Sequence, residues 1–340
     1  MKTKNFSFDL PERLIAQHPT ERRGASRLMV IDRSTGALAH GTVEDLPRFL
    51  EPGSVMVMNN SRVRKARLTG RRRETGGRGE FLLVERVELD TWRCLVKNAA
   101  RRRVGDEFVF ADDVTGVISR TAEDGAVLMR FSCTIDDEYL DQNGQVPLPP
   151  YIRREPDESD DERYQTVYAT EHGSIAAPTA GLHFTPDLID AVRGRGIEVH
   201  FVTLHVGIGT FLPVRTDNIE HHTMHEERYT VPDETAHAVN EAKSEGRPVV
   251  AIGTTAVRTL ESAGADGRLT PGDGTTELFI YPGYTFTIVD TMFTNFHTPE
   301  SSLFVMVSAF AGLETMKTAY RSAVDAEYRF FSYGDACLIR

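Results

Sequence analysis

A chain of 340 residues exceeds one ordinary domain, and its 40% apolar content is enough for a large core. The longest apolar stretch, LFVMVSAFAG from Leu303, is too short to span a bilayer, and the first residues lack the apolar run of a signal peptide, so a cytoplasmic protein is expected. Three scattered cysteines, Cys94, Cys133 and Cys337, make neither a disulfide framework nor a metal knuckle, and a formal charge of -11 argues at first against a nucleic-acid partner.

In chain order, LMVIDRSTGALAHGTV reads as a hairpin turning between Asp32 and Gly36. EDLPRFLEPG reads as a short helix and SVMVMNN as a buried strand. Between about Val63 and Phe131 six short strands follow: ARLTGRR, GEFLLVERV, TWRCLVKN, EFVFADD, TGVISR and AVLMRFS. Glycine-rich turns separate them and no helical period intervenes, which predicts a small antiparallel barrel. This region also breaks the acidic balance. From Arg62 to Arg103 there are fourteen Lys or Arg against five Asp or Glu, whereas from Asp106 to Arg163 sixteen acids face five bases. A basic segment in an acidic protein is a candidate polyanion surface, because the remainder repels phosphate.

After the connector VPLPPYIRREP and the acidic DESDDER, helices and strands alternate. IEVHFVTL and PVVAIGTT are near-continuous apolar runs, as fully buried strands are, and DETAHAVNEAKSEG and TAVRTLESAG are helical. The expected architecture is an α/β domain from both chain ends (1–62 and 146–340) with a basic β-barrel inserted at 63–145.

The chemistry concentrates in a few small-residue segments. GSIAAPTAGLHFTPDLI delivers His183 just ahead of a helix that Thr185 caps and Pro186 begins. TNFHTPESSL repeats the device, with His297 ahead of Thr298 and Pro299. A helix amino terminus lowers an imidazole's pKa, so both rings are expected to be neutral. TLHVGIGTF and AIGTTAVRTLE add two more small-residue strand ends, where ligands gather in α/β sheets, and FIYPGYTF adds Tyr281 and Tyr284 as stacking surface. EHHTMHEER places His221 and His225 four residues apart, yet the neighbouring RYTV reads as strand and no His-Glu-x-x-His pattern occurs.

From FDLPERLIAQHP and ASRLMVIDR to YRFFSYGDA, the chain resembles the S-adenosylmethionine:tRNA ribosyltransferase-isomerase family of the queuosine pathway. PLPPYI, RYQTVYA, AAPTAGLHFT, TLHVGIGTF, MHEE, AIGTTAVRTLE, FIYPGY, TNFHTPESSL and SAFAG occur in the family's order. The resemblance implies an α/β domain carrying a small inserted barrel. It implies transfer and isomerisation of the ribosyl part of S-adenosylmethionine onto 7-aminomethyl-7-deazaguanine at the tRNA wobble position. Epoxyqueuosine is the product, adenine and methionine are released, and no metal or further cofactor is implied. His183, His297, His205 and His225 are candidate acids and bases, and Arg258 is a candidate cation for a carboxylate or phosphate. Thr179, Gly181, Gly207, Gly209, Thr210, Phe211, Thr254, Thr255, Tyr281 and Asn295 are expected around S-adenosylmethionine. Arg62, Arg67, Arg71, Arg72, Arg73, Arg101, Arg102 and Arg103 are expected on tRNA phosphates, with no membrane partner and a monomeric chain. RVRKARL departs from the family's usual apolar-proline pair at Arg64 and Lys65, Cys337 stands where methionine is usual, and Ala256 stands where serine is common.

Overall fold

The computed structural model describes residues 1–97, 99–122, 125–207 and 216–340. They divide into two compact units. One comprises Met1–Arg62, Pro150–Arg154 and Arg163–Arg340; the other comprises Val63–Pro149 and Glu155–Glu162.

The first unit starts with β1 (Arg27–Ile31), β2 (Leu38–Thr42), the one-turn helix α1 (Leu46–Phe49) and β3 (Val55–Asn59). β1 and β2 form the expected antiparallel hairpin. Its turn is tied by Asp32, whose carboxylate accepts from the Ser34 and Thr35 amides at 3.0 and 2.9 Å. A short strand, β4 (Ser61–Val63), leads into the second unit.

There the six expected strands are all present: β5 (Arg67–Arg72), β6 (Arg78–Glu88), β7 (Thr91–Val96), β8 (Glu107–Val109), β9 (Thr115–Thr121) and β10 (Ala126–Phe131). They close into a barrel, which leaves no unpaired edge. Alternate residues point inward, so Leu68, Phe81, Trp92, Cys94, Phe108, Ile118 and Met129 fill the interior. Phe81 and Phe108 meet edge to face at 4.8 Å. Two short helices follow, α2 (Asp137–Asn143) and α3 (Glu158–Arg163).

The chain then completes the first unit with β11 (Glu171–Ser174), α4 (Pro186–Gly194), β12 (Glu198–Leu204), β13 (Glu227–Val231), α5 (Asp233–Glu245) and β14 (Val249–Ile252). α6 (Thr254–Ala263), β15 (Gly272–Thr276), β16 (Thr291–Asn295), α7 (Ser302–Ala311), α8 (Leu313–Asp325) and β17 (Ala336–Ile339) end it. Nine strands make one mixed sheet, in the order β15-β13-β12-β3-β14-β16-β17-β1-β2. β12, β3, β14 and β16 run parallel at its centre.

β3 and β14 at the middle of the sheet are almost wholly apolar because both faces are covered. Val55 and Val57 of β3 join the core beneath α5 to α8, while Met56 and Met58 join the core beneath α1 and α4. Val249 and Ala251 against Val250 and Ile252 divide in the same way on β14.

One expected element differs. The helix after His297 begins at Ser302 and is capped by Ser301, which accepts from the Phe304 amide at 3.1 Å. Thr298 and Pro299 stand outside it. Glu300 holds a left-handed backbone (φ 57°) and donates its amide to the Phe6 carbonyl at 3.1 Å. That tertiary hydrogen bond overrides a Thr-Pro start that is locally sound.

Candidate active site

The parallel strands β12, β3, β14 and β16 all end on one edge of the sheet, where their next residues are free to meet a ligand. Val206 follows β12, Gly253 to Thr255 follow β14, and Thr294 and Asn295 end β16. These residues, with Ala176 to Ala180, His297 to Ser301, Tyr151 and Phe331, enclose a cavity of about 510 Å³. That volume suits a nucleoside-sized ligand. The small residues have a physical function here. Gly253 takes φ 88° to turn from β14 into α6, and a side chain added to it would meet Ala180 at 3.3 Å.

His297 forms part of the cavity wall and is 6% exposed. Its Nε2 pairs with the Thr294 hydroxyl at 3.0 Å, its amide donates to the Tyr320 hydroxyl at 3.1 Å, and its Nδ1 has no hydrogen bond among the described residues. Burial pushes its pKa down to about 3, so the ring is neutral at pH 7. The expected direction holds, but its cause is desolvation, since no helix starts at residue 298.

His183 lies behind the wall. Thr185 does cap α4, accepting from the Leu188 amide at 3.1 Å. The ring is pushed down to about 3, first by burial and then by the charges of Arg329 and Arg23. Asn295 donates to its Nε2 at 3.0 Å and donates with the same amide group to the Phe331 carbonyl at 3.1 Å. The Nε2 lone pair of His183 is therefore occupied. Phe331 supplies that carbonyl from a left-handed conformation (φ 72°), a backbone cost of about 1–3 kcal/mol for an aromatic residue.

Of the residues expected around S-adenosylmethionine, Thr179, Thr254, Thr255 and Asn295 line the cavity, whereas Gly181, Gly207 and Tyr281 do not. A side chain on Gly181 would lie 2.1 Å from the Tyr168 hydroxyl, so this glycine makes room for Tyr168 and not for a ligand. Gly181→Ala is therefore expected to cost about 1–3 kcal/mol, with part of the melting temperature recovered by adding Tyr168→Phe. Equal melting of wild type and the single variant would contradict that packing.

Arg258 is not a free cation for a ligand. It is 4% exposed and pairs with buried Glu227, while its Nε donates to the Leu278 carbonyl at 3.2 Å. Glu227 also accepts from the Gly207 amide at 2.8 Å, so Gly207 faces this ion pair. His205 packs over Gly173, where a side chain would meet its Nδ1 at 2.7 Å, and His225 is exposed. Tyr281 packs on Phe279, with centroids 5.6 Å apart. Gly209, Thr210 and Phe211 lie outside the described residues. His221 ends a single turn and His225 precedes β13, so the two share no helix face. No group of three or more His, Cys, Asp or Glu among the described residues could hold a metal ion.

Sequence reasoning missed Tyr151, Thr294, Thr298, Ser301, Phe331 and Ser332, which complete the wall. Tyr151 stacks on Phe331 at 4.1 Å across 180 residues of sequence, a proximity that no local pattern signals.

On the barrel, Arg72 pairs with Asp106, Arg73 with Glu107, and Arg67 with Glu80 at 3.5 Å. Arg102 lies over the Phe108 ring at 5.2 Å. Arg64 and Lys65 find partners within the same unit, Asp137 at 2.7 Å and Asp161 at 2.6 Å. Arg71, Arg101 and Arg103 are exposed and make no ion pair among the described residues; Arg62 is half-buried and also makes none. Arg71 stands directly opposite Arg78 on β6, a like-charge pair that an anion would relieve.

Comparison with known proteins agrees with this geometry. The family model for queuosine biosynthesis protein matches residues 3–339. An S-adenosylmethionine:tRNA ribosyltransferase-isomerase of Treponema denticola is 49% identical, and one of Clostridioides difficile is 48% identical, each over 100% of both chains. The crystal structure of an S-adenosylmethionine tRNA ribosyltransferase from Thermotoga maritima is 37% identical, with a TM-score of 0.56 over 99% of this chain and 100% of that one. The chain therefore belongs to the queuosine biosynthesis protein family.

Proposed function

We propose that the 510 Å³ cavity holds S-adenosylmethionine in the reaction of this family, ribosyl transfer to tRNA with isomerisation. The ribosyl part passes to 7-aminomethyl-7-deazaguanine at the wobble position, giving epoxyqueuosine, and adenine and methionine leave. The observation that supports the reading is His297, a neutral imidazole in the wall of a cavity at the carboxyl ends of parallel strands.

A sulfonium acidifies the adjacent 5′ carbon, so the first step needs a base that is unprotonated at neutral pH. The proposed base is the His297 tautomer in which Nε2–H donates to the Thr294 hydroxyl, which puts the lone pair on Nδ1, its unbonded nitrogen. Nδ1 takes the proton and the electron pair remains on the 5′ carbon beside the sulfonium. The scheme requires no resident cofactor. It suits a cytoplasmic monomer, and no helix of the described residues is long and apolar enough to cross a membrane.

Thr179→Trp tests the cavity, because it fills the wall with an indole. With tRNA saturating, kcat/KM for S-adenosylmethionine should fall at least tenfold while the protein still melts cooperatively. Unchanged kcat/KM would place the co-substrate elsewhere.

The barrel is the tRNA platform in this reading, through Arg71, Arg101 and Arg103. Neutralising these three should weaken tRNA binding and flatten the salt slope by roughly 0.7–0.9 per lost contact. Arg73→Gln removes a side chain already paired with Glu107 and should change the slope less. An unaltered slope in the triple variant would remove the barrel from tRNA binding.

A further inference from the structure

Asn295 is 1% exposed, and both hydrogens of its amide are committed, one to the Phe331 carbonyl and one to His183 Nε2. Turning the amide over would set oxygen against the Phe331 carbonyl oxygen, so its orientation is fixed. Its Oδ1 is left buried with no partner among the described residues. The Thr255 hydroxyl, in the first turn of α6, is buried and unpartnered too. Both residues line the large cavity. The Tyr164 hydroxyl is a third such oxygen on the same wall. Leaving buried oxygens unpaired is unfavourable, and Asn295 and Thr255, at the carboxyl ends of β16 and β14, mark where a ligand completes the hydrogen bonding.

We infer that Asn295 Oδ1 accepts a hydrogen bond from a ribose hydroxyl of S-adenosylmethionine, with the Thr255 hydroxyl as the second contact and His183 as the positioning residue behind Asn295. An amide oxygen can only accept, so the ligand group must be O–H or N–H. The ribose is favoured over the adenine amine because Asn295 is adjacent to Thr294, which holds the proposed base His297. This inference rests on the cavity being the S-adenosylmethionine site.

The test uses wild-type enzyme, saturating tRNA and S-adenosylhomocysteine as a non-reactive competitor. Its 2′-deoxy, 3′-deoxy and N6-dimethyl forms are compared by inhibition constant. Loss of one ribose hydroxyl should weaken inhibition by roughly 5- to 150-fold, the range for leaving a buried acceptor unpaired. In Asn295→Ala that discrimination should shrink toward unity, and in His183→Gln it should be reduced. Equal inhibition by both deoxy forms and the parent would overturn the inference. A penalty for N6-dimethylation that Asn295→Ala abolishes would assign the oxygen to adenine and overturn it as well. If instead Thr179→Trp leaves kcat/KM intact, the cavity reading itself fails, which is a separable result.

Discussion

His297→Asn is expected to lower turnover by about 10²–10⁴, the usual cost of removing a general base, and to abolish hydrogen–deuterium exchange at the 5′ carbon of S-adenosylmethionine. His183→Asn should lose affinity for the co-substrate while any exchange persists, because His183 acts through Asn295 and its Nε2 is already hydrogen-bonded. The pH dependence follows from the same geometry. Burial holds His297 near a pKa of about 3, so its rate contribution should be flat between pH 5 and 8. The sign for stability is the reverse of a paired histidine's. The unfolded chain takes up protons as pH falls through about 6.5 while the folded rings do not, so stability declines from there toward pH 3. Wild-type exchange in His297→Asn, or a rate inflection near pH 6.5 that disappears in that variant, would contradict the assignment.

Arg258→Met is expected to destabilise the α/β unit by about 3–5 kcal/mol, because it strands the Glu227 carboxylate at 4% exposure. Glu227 also holds the Gly207 amide, next to Val206 in the cavity wall, and Thr254 and Thr255 lie one turn before Arg258 on α6. The variant should therefore lose activity together with melting temperature. Pairing it with Glu227→Gln removes the stranded charge, so the double variant should melt above the sum of the single losses. Additive losses would show that the two side chains do not depend on each other.

The sequence revealed most of what depends on local pattern. Short strand-like runs between glycine-rich turns over Val63–Phe131 identified all six barrel strands, and near-continuous apolar runs identified β3, β12 and β14 but not β16, whose short Thr291–Asn295 segment carries no such run. It failed where a distant residue decides. Thr298 and Pro299 look like a helix start, but the Glu300 amide is held by Phe6, nearly three hundred residues earlier. Arg258 looks like a ligand cation until Glu227 is seen beside it. Gly181 is small for Tyr168, which occupies the space. The basic count from Arg62 to Arg103 did not show that Arg67, Arg72 and Arg73 face carboxylates on neighbouring strands or turns. The small-residue strand ends were legible as a site because such residues are needed wherever backbones meet a ligand, yet which histidine faces the cavity required the fold.

The most direct test of the reaction itself is the mass of substrate tRNA after incubation with S-adenosylmethionine carrying carbon-13 throughout its ribose. The label should enter the tRNA with one adenine and one methionine released per nucleotide modified. A tRNA heavier by one unlabelled methyl group instead, or tRNA of unchanged mass beside intact S-adenosylmethionine, would contradict the account.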